Sequence, residues 1–243
     1  MCEDRVAIVT GAAGRGMGRS IALTLAREKA KVVVNYRTSE ESARAIVDYI
    51  VSRGGSAIAI QADVFEPEEC KKLVDVTIDQ FGQVDICIVG PGGGWHPEPI
   101  DRLDPSASLE DIRNEVAPLF YLMPLVLPGM YKRKWGRVIG LALHPTKKSP
   151  AYSYNVGKAA RTQALLLAQG QAWLNGVTVN IIAPGPVPAV KSLKEAIELC
   201  DHEPVWHKRT TTSPQDIAES VAFLCSDSGR FITGCVLPYL FSE

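Results

Sequence analysis

Short, almost uninterrupted apolar runs alternate along the chain with longer stretches whose apolar positions recur every three or four residues. The runs cover 5–11 (RVAIVTG), 31–36 (KVVVNY), 56–63 (SAIAIQAD), 84–90 (VDICIVG), 136–143 (GRVIGLAL), 177–185 (VTVNIIAPG) and 235–240 (CVLPYL). They are rich in Val and Ile and do not alternate strictly, the pattern of parallel strands buried on both faces. The stretches between them, 17–29, 40–53, 67–81, 109–132, 151–174, 190–200 and 214–225, carry the helical period. The last begins Ser213-Pro214-Gln215-Asp216, a cap, a first-turn proline and an acidic residue three places on. This alternation predicts an α/β fold: a Rossmann-like doubly wound parallel sheet of about seven strands with helices on both faces. No linker, repeat or low-complexity segment interrupts it, so 1–243 reads as a single domain.

A sheet of this kind binds ligands beyond the carboxyl ends of its strands. The first strand runs into TGAAGRGMGRSIA, where Gly11, Gly14, Gly16 and Gly18 precede an amphipathic stretch. Glycines allow close backbone approach, and a helix N-terminus attracts phosphate. Farther along, Tyr154 and Lys158 stand four residues apart, on one face if the segment is helical. A lysine ammonium beside a phenol favours the phenolate and lowers the tyrosine from its usual value of about 10. That would give an acid or base usable near neutral pH. On an exposed helix the same spacing is a solvated face, so the pair counts only with its surroundings.

Charge narrows the partners. The 243 residues carry 26 basic and 27 acidic side chains, a net charge of −1, which favours neither nucleic acid nor a membrane surface. Charges occur at once in MCEDRVAIVTG, unlike a secretory leader. The uncharged stretch 116–131 holds three prolines and falls short of the ~20 residues a membrane helix needs. Six cysteines at 2, 70, 87, 200, 225 and 235 lack any C-x-x-C, which suggests free thiols in a reducing cytoplasm. His202 and His207 near Cys200 lack metal-ligand spacing, and no metal is expected.

The glycine turn, ADV at 62–64, LPGM and WGRVI before the fifth strand, Tyr154-x-x-x-Lys158, NIIAPG at 180–185 and SPQDIAESVAFLCSD…ITG together resemble the short-chain dehydrogenase/reductase family of the classical kind. The resemblance covers essentially the whole chain and is greatest to 3-oxoacyl-carrier-protein reductases. It implies an NAD(P)(H)-dependent interconversion of a carbonyl and an alcohol. It casts Tyr154 as proton donor or acceptor and Lys158 as the residue that binds ribose and lowers the tyrosine's pKa. The implied cofactor contacts are Gly11, Arg15, Gly16, Met17, Gly18, Arg37, Asp63, Val64, Gly90, Tyr154, Lys158, Pro184 and Gly185. It also implies a homo-oligomer, tetramer or dimer, built on the helices at 109–132 and 151–174. NADP is favoured over NAD because Tyr36 stands where a carboxylate would bind the ribose, with Arg37 next to it and Arg15 in the glycine turn. Arginine forks match phosphate geometry.

The departures from the pattern are specific. The glycine turn holds one extra residue between Gly11 and Gly16, and GPGGGW (90–95) replaces Asn-Asn-Ala-Gly. Glu115 falls where the family has an asparagine that holds a relay water, with Asn114 beside it and Pro118 and Pro124 near enough to distort the helix. Leu143 occupies the place of the catalytic serine. A leucine cannot polarise a carbonyl, so His144 is the first candidate to replace it, ahead of Thr146 and Ser149. Glu115 is a second candidate acid or base if burial raises its pKa. A threonine expected near Ala189 and a terminal Gly-Gly are missing. The substrate reads as a small apolar, cyclic or acyl molecule, from Trp95, His96 and the mixed segment 188–214 that includes Trp206 and His207. Two alternatives stand against the oxidoreductase reading: a binding or regulatory subunit with impaired catalysis, and a dehydratase, epimerase or dehalogenase with Tyr154 as base.

Overall fold

The computed structural model describes residues 2–143, 151–202 and 211–239. Seven strands form one parallel sheet: β1 (Val6–Val9), β2 (Lys31–Tyr36), β3 (Ser56–Gln61), β4 (Ile86–Val89), β5 (Gly136–Leu141), β6 (Val177–Ala183) and β7 (Val236–Pro238). Their order is β3-β2-β1-β4-β5-β6-β7, with every pairing parallel. The helices are α1 (Met17–Arg27), α2 (Glu40–Ser52), α3 (Pro67–Phe81), α4 (Pro105–Arg133), α5 (Tyr152–Trp173), α6 (Leu193–Asp201) and α7 (Pro214–Cys225).

The β-branched runs form buried strands because both faces of the sheet are covered. Along β1, Ala7 and Val9 pack in one core with residues of α1, α2, α6 and α7, while Ile8 packs in the other with α3, α4 and α5. Successive strand residues point to opposite faces, so a run without polar alternation needs a helical layer on each side. The chain winds outward through β1, β2 and β3, then returns to place β4 beside β1. That reversal opens a crevice at the carboxyl ends of β1 and β4.

Two helix starts differ from expectation. α4 begins at Pro105 rather than 109, because the Asp104 side chain accepts from the Ala107 amide at 2.7 Å and the proline occupies the first turn. α6 begins at Leu193 rather than 190: Ser192 caps it, and the Val190 amide instead donates to the Arg15 carbonyl at 2.8 Å. The capping box at Ser213–Asp216 is present in both directions. Pro118, Pro124 and Pro128 all lie inside α4, which continues through them. An interior proline costs a helix ~3 kcal/mol, and the apolar face Leu119, Leu122, Val126 and Met130, fully buried against the sheet, offsets it.

Candidate active site

The glycine-turn end of the crevice is built from the β1–α1 turn and the ends of β2 and β3. Gly11 has φ of +63°, and a Cβ there would meet the Pro91 ring at 2.8 Å. At Gly18 a Cβ would come within 2.7 Å of the Gly11 carbonyl oxygen. Gly16 caps α1 without a side-chain acceptor, and no acidic residue sits in the first turn. The first amides of α1 therefore face outward unneutralised by any carboxylate of their own turn. Asn35 staples this end together: its Oδ1 accepts from the Gly11 amide at 3.1 Å, and its Nδ2 donates to the Ala62 carbonyl at 3.0 Å. Arg19 and Ser42 both donate to the Ala13 carbonyl, bracing the turn that carries the additional residue.

A cavity of about 310 Å³ opens here, lined among others by Gly11, Gly14, Tyr36, Arg37, Asp63 and Val64. Arg37 is exposed and ion-paired to Asp63 at 3.7 Å. Val64 is buried and Asp63 half-buried. Arg15 does not line the cavity; its side chain is exposed and its carbonyl is taken by Val190. Met17 opens α1 and packs on the core. Pro184 and Gly185 leave the end of β6, the first buried and the second half-buried.

Thr10 bridges to the end that carries Tyr154 and Lys158. Its hydroxyl donates to the Ile88 carbonyl and accepts from the Gly90 amide, both at 2.9 Å. Beyond it, α4 and α5 lie against each other with three charges between them. Glu115 is fully buried on α4. Its Oε2 stands 3.1 Å from Lys158 Nζ and 3.5 Å from Arg161 Nε, both on α5. Neither carboxylate oxygen has an aligned hydrogen bond among the described residues, so the attraction is Coulombic. Arg161 is fully buried as well. Its Nε donates to the Glu115 carbonyl at 2.6 Å and its Nη1 to the carbonyls of Leu141 at 2.8 Å and Gly90 at 3.1 Å, with Nη2 on the Pro91 carbonyl. One guanidinium thus ties α4, the end of β5 and the loop after β4.

Tyr154 and Lys158 share a face of α5, with the ammonium 5.2 Å from the phenol ring centre. The expected lowering of the tyrosine is not what this arrangement produces. Burial, and next the Glu115 charge, push the Tyr154 phenol up to about 12, against a smaller opposite pull from Arg161. Burial and the Arg161 charge push Lys158 down to about 8, while Glu115 resists. The ammonium is turned toward the carboxylate, and so it does not offset the phenol's loss of hydration.

The GPGGGW loop closes over this corner. Trp95 meets the Tyr154 ring edge-on, with centres 5.3 Å apart. His96 Nδ1 lies 3.0 Å from Asp111 on α4, and a single parallel bridge joins Glu98 to Ala151. The glycines are required by contact: a Cβ at Gly92 would overlap the Glu115 carboxylate, and one at Gly93 would reach the Asp111 carbonyl at 2.6 Å.

Leu143 ends the segment after β5, at the place of the expected serine. The candidates to replace that serine, His144, Thr146 and Ser149, lie outside the described residues, as do Trp206 and His207. Glu115 cannot meet a substrate directly in this arrangement, since it has no exposed surface and lies behind Lys158 and Gly92. Sequence reasoning passed over Arg161 and Asn35. Each had a signal: a charge three residues after Lys158 in an apolar helix, and an amide in the apolar run KVVVNY. Among the described residues no group of His, Cys, Asp and Glu has metal geometry, and no helix is long and apolar enough to cross a membrane.

A family model described as enoyl-(acyl carrier protein) reductase matches residues 11–239. The chain is 33% identical over 235 residues to a 3-oxoacyl-[acyl-carrier-protein] reductase of Staphylococcus epidermidis, covering 95% of each protein. It is 32% identical over 247 residues to the 7α-hydroxysteroid dehydrogenase of Escherichia coli K12, covering 97% of this chain and 92% of that one. A solved 7α-hydroxysteroid dehydrogenase, complexed with NADH and 7-oxo glycochenodeoxycholic acid, superposes with a TM-score of 0.85 at 30% identity, over 98% of this chain and 93% of that one. With the tyrosine and lysine on one helix beside the glycine-turn crevice, these likenesses establish that the chain belongs to the short-chain dehydrogenase/reductase family of oxidoreductases, of the classical kind.

Proposed function

We propose that the protein is an NADP-dependent oxidoreductase that interconverts a carbonyl and an alcohol on a small apolar, cyclic or acyl substrate. The observation that carries this reading is Tyr154 with Lys158 one turn behind it on α5, the lysine paired with Glu115, whose carboxylate abuts Gly92 in the lining of the cavity. The residues present fit a dinucleotide. Gly11 and Gly18 let the turn pack tightly on Pro91 and on its own backbone, and the first amides of α1, with no acidic residue in their turn, suit a pyrophosphate. Arg37 suits a 2′-phosphate, and Lys158 a ribose. When bound, the nicotinamide would supply or accept the hydride.

Tyr154 would move the proton at its phenol oxygen. A phenol pushed up to about 12 stays protonated at neutral pH, which suits proton donation in the reducing direction. Trp95, packed on the phenol, keeps water from one side of it. The relatives named above act, by their names, on a 3-oxoacyl-[acyl-carrier-protein] or a 7α-hydroxysteroid, and the aromatic loop here is compatible with either class. The same reading takes 1–243 as one domain of a cytoplasmic enzyme, in keeping with six free cysteines. It is assembled as a homotetramer or dimer over the exposed apolar residues Phe120 of α4 and Val156 and Leu167 of α5.

Fluorescence titration with NADPH and NADH tests the cofactor without knowledge of the substrate. NADPH should bind at least about tenfold more tightly than NADH, and Arg37→Ala should erase the difference. If neither nucleotide binds, the oxidoreductase reading fails. One observation favours the second reading, a binding subunit with impaired catalysis: Leu143 offers no polar group where the serine is expected. That reading predicts no turnover across ketones, acyl thioesters, sugars and steroids, with or without nucleotide binding.

A further inference from the structure

Two buried cations one turn apart on the same helix need a reason to coexist. Lys158 and Arg161 are three residues apart on α5, both nearly without exposed surface. Buried like charges at this spacing repel strongly in a medium of low polarity. Glu115 stands opposite, with one oxygen within 3.5 Å of both. The surrounding backbone is shaped to that carboxylate. A Cβ at Gly92 would occupy its volume, and a Cβ at Gly157 would lie 2.7 Å from its Cγ. Two glycines on separate elements, the β4 loop and α5, thus open space for one side chain.

We propose that Glu115 and Arg161 act together as positioning residues for Lys158, the carboxylate holding the ammonium in its charged form and the guanidinium fixing the Glu115 backbone and the β4 and β5 ends around it. Arg161 has no approach to a substrate: its donors are spent on the carbonyls of Gly90, Pro91, Glu115 and Leu141. Its charge works against the lysine's proton, whereas the charge of Glu115 works for it. Among the described residues, the charged or titratable groups near Lys158 are Glu115 on α4 and Tyr154 and Arg161 on α5. On the loop, the facing residues Gly92 and Trp95 carry no charge, and His96 pairs with Asp111. The catalytic meaning of this pairing rests on the oxidoreductase reading, but its physical content does not.

The two partners must move the lysine in opposite directions, which a merely structural role would not do. Nitrogen-15 NMR of the lysine side chains, with the Lys158 signal assigned by its loss in Lys158→Met, reads the titration directly in the protein without added substrate. Wild type should lose the Lys158 proton near pH 8. Glu115→Gln should lower that midpoint by about one pH unit or more, and Arg161→Gln should raise it. Arg161→Lys, which keeps the charge, should leave it close to wild type. If Glu115→Gln does not fold, Glu115→Asp serves: the charge retreats by about one bond length, and a smaller fall is expected. A midpoint unmoved or raised by either Glu115 variant, or lowered by Arg161→Gln, would overturn the proposal. Midpoints that move as stated in a protein showing no nucleotide-dependent turnover would reject the oxidoreductase reading and leave the positioning pair standing. Turnover with unmoved midpoints would do the reverse.

Discussion

The two ends of the crevice handle charge in opposite ways. At the glycine-turn end, Arg15 and Arg37 lie in solvent, and Arg37 meets Asp63 at 3.7 Å across an open cavity. At the Tyr154 end, Glu115, Lys158 and Arg161 are enclosed between α4 and α5, and each depends on the other two. Exposed charges interact weakly with their neighbours and are available to a ligand. Buried charges are expensive, so a change at one position is tolerable only with changes elsewhere. That accounts for the residues gathered around Glu115. A glutamate on α4 calls for a counter-cation at 161 and for glycine at 92 and 157.

The contrast breaks most readily at Arg161. Replacing it with methionine would leave buried carbonyls without donors and unbalance the triad, a loss of about 3–5 kcal/mol in stability by denaturant titration. A loss near zero would mean the guanidinium is not the clasp described here. The next test is pH. Lys158 sits near 8 in the fold against 10.5 when solvated, so between those values the unfolded chain holds a proton that the folded chain has released. Stability from this group therefore rises with pH across that window, on the order of 3 kcal/mol in total. The buried thiols oppose it above pH 9, where unfolded cysteines ionise and Cys2, pushed up to about 11 by burial, does not. The lysine's share is read as the difference between wild type and Lys158→Met, which should grow with pH through this window. A flat difference would contradict the burial argument.

Smaller effects sharpen the picture. Gly157→Ala forces a methyl to within 2.7 Å of Glu115 Cγ and should cost about 1–3 kcal/mol, whereas Gly16→Ala, with nothing within 4 Å of the added methyl, should cost less. At the open end, Arg37→Ala should change stability by less than about 0.5 kcal/mol while weakening NADPH binding.

These regions also differed in how far the chain could be read. The sheet, its strand positions and the glycine turn were legible because doubly covered strands and a phosphate-type turn leave local signatures in VAIVTG and KVVVNY. The Tyr154 and Lys158 pair was legible from spacing and resemblance. What escaped were consequences of tertiary contact. The lysine faces Glu115 rather than acting on the phenol, a relation between residues 43 positions apart that no local pattern carries. Arg161 was passed over: it lies on a helix read as an oligomer interface, and no local pattern tells that its side chain is buried. The start of α4 was missed for a local reason: Asp104-Pro105 is a cap and first-turn proline, obscured by a weakly apolar first turn.

The central claim is that Tyr154 moves a proton in a nicotinamide-dependent reaction. Its most direct test is hydride transfer from NADPH to a panel of ketones, acyl thioesters and steroids by wild type and Tyr154→Phe, with nucleotide affinity measured alongside. The account predicts turnover by wild type, and a loss of about 100-fold or more in kcat in the variant with nucleotide affinity little changed. Turnover that survives the substitution would contradict it.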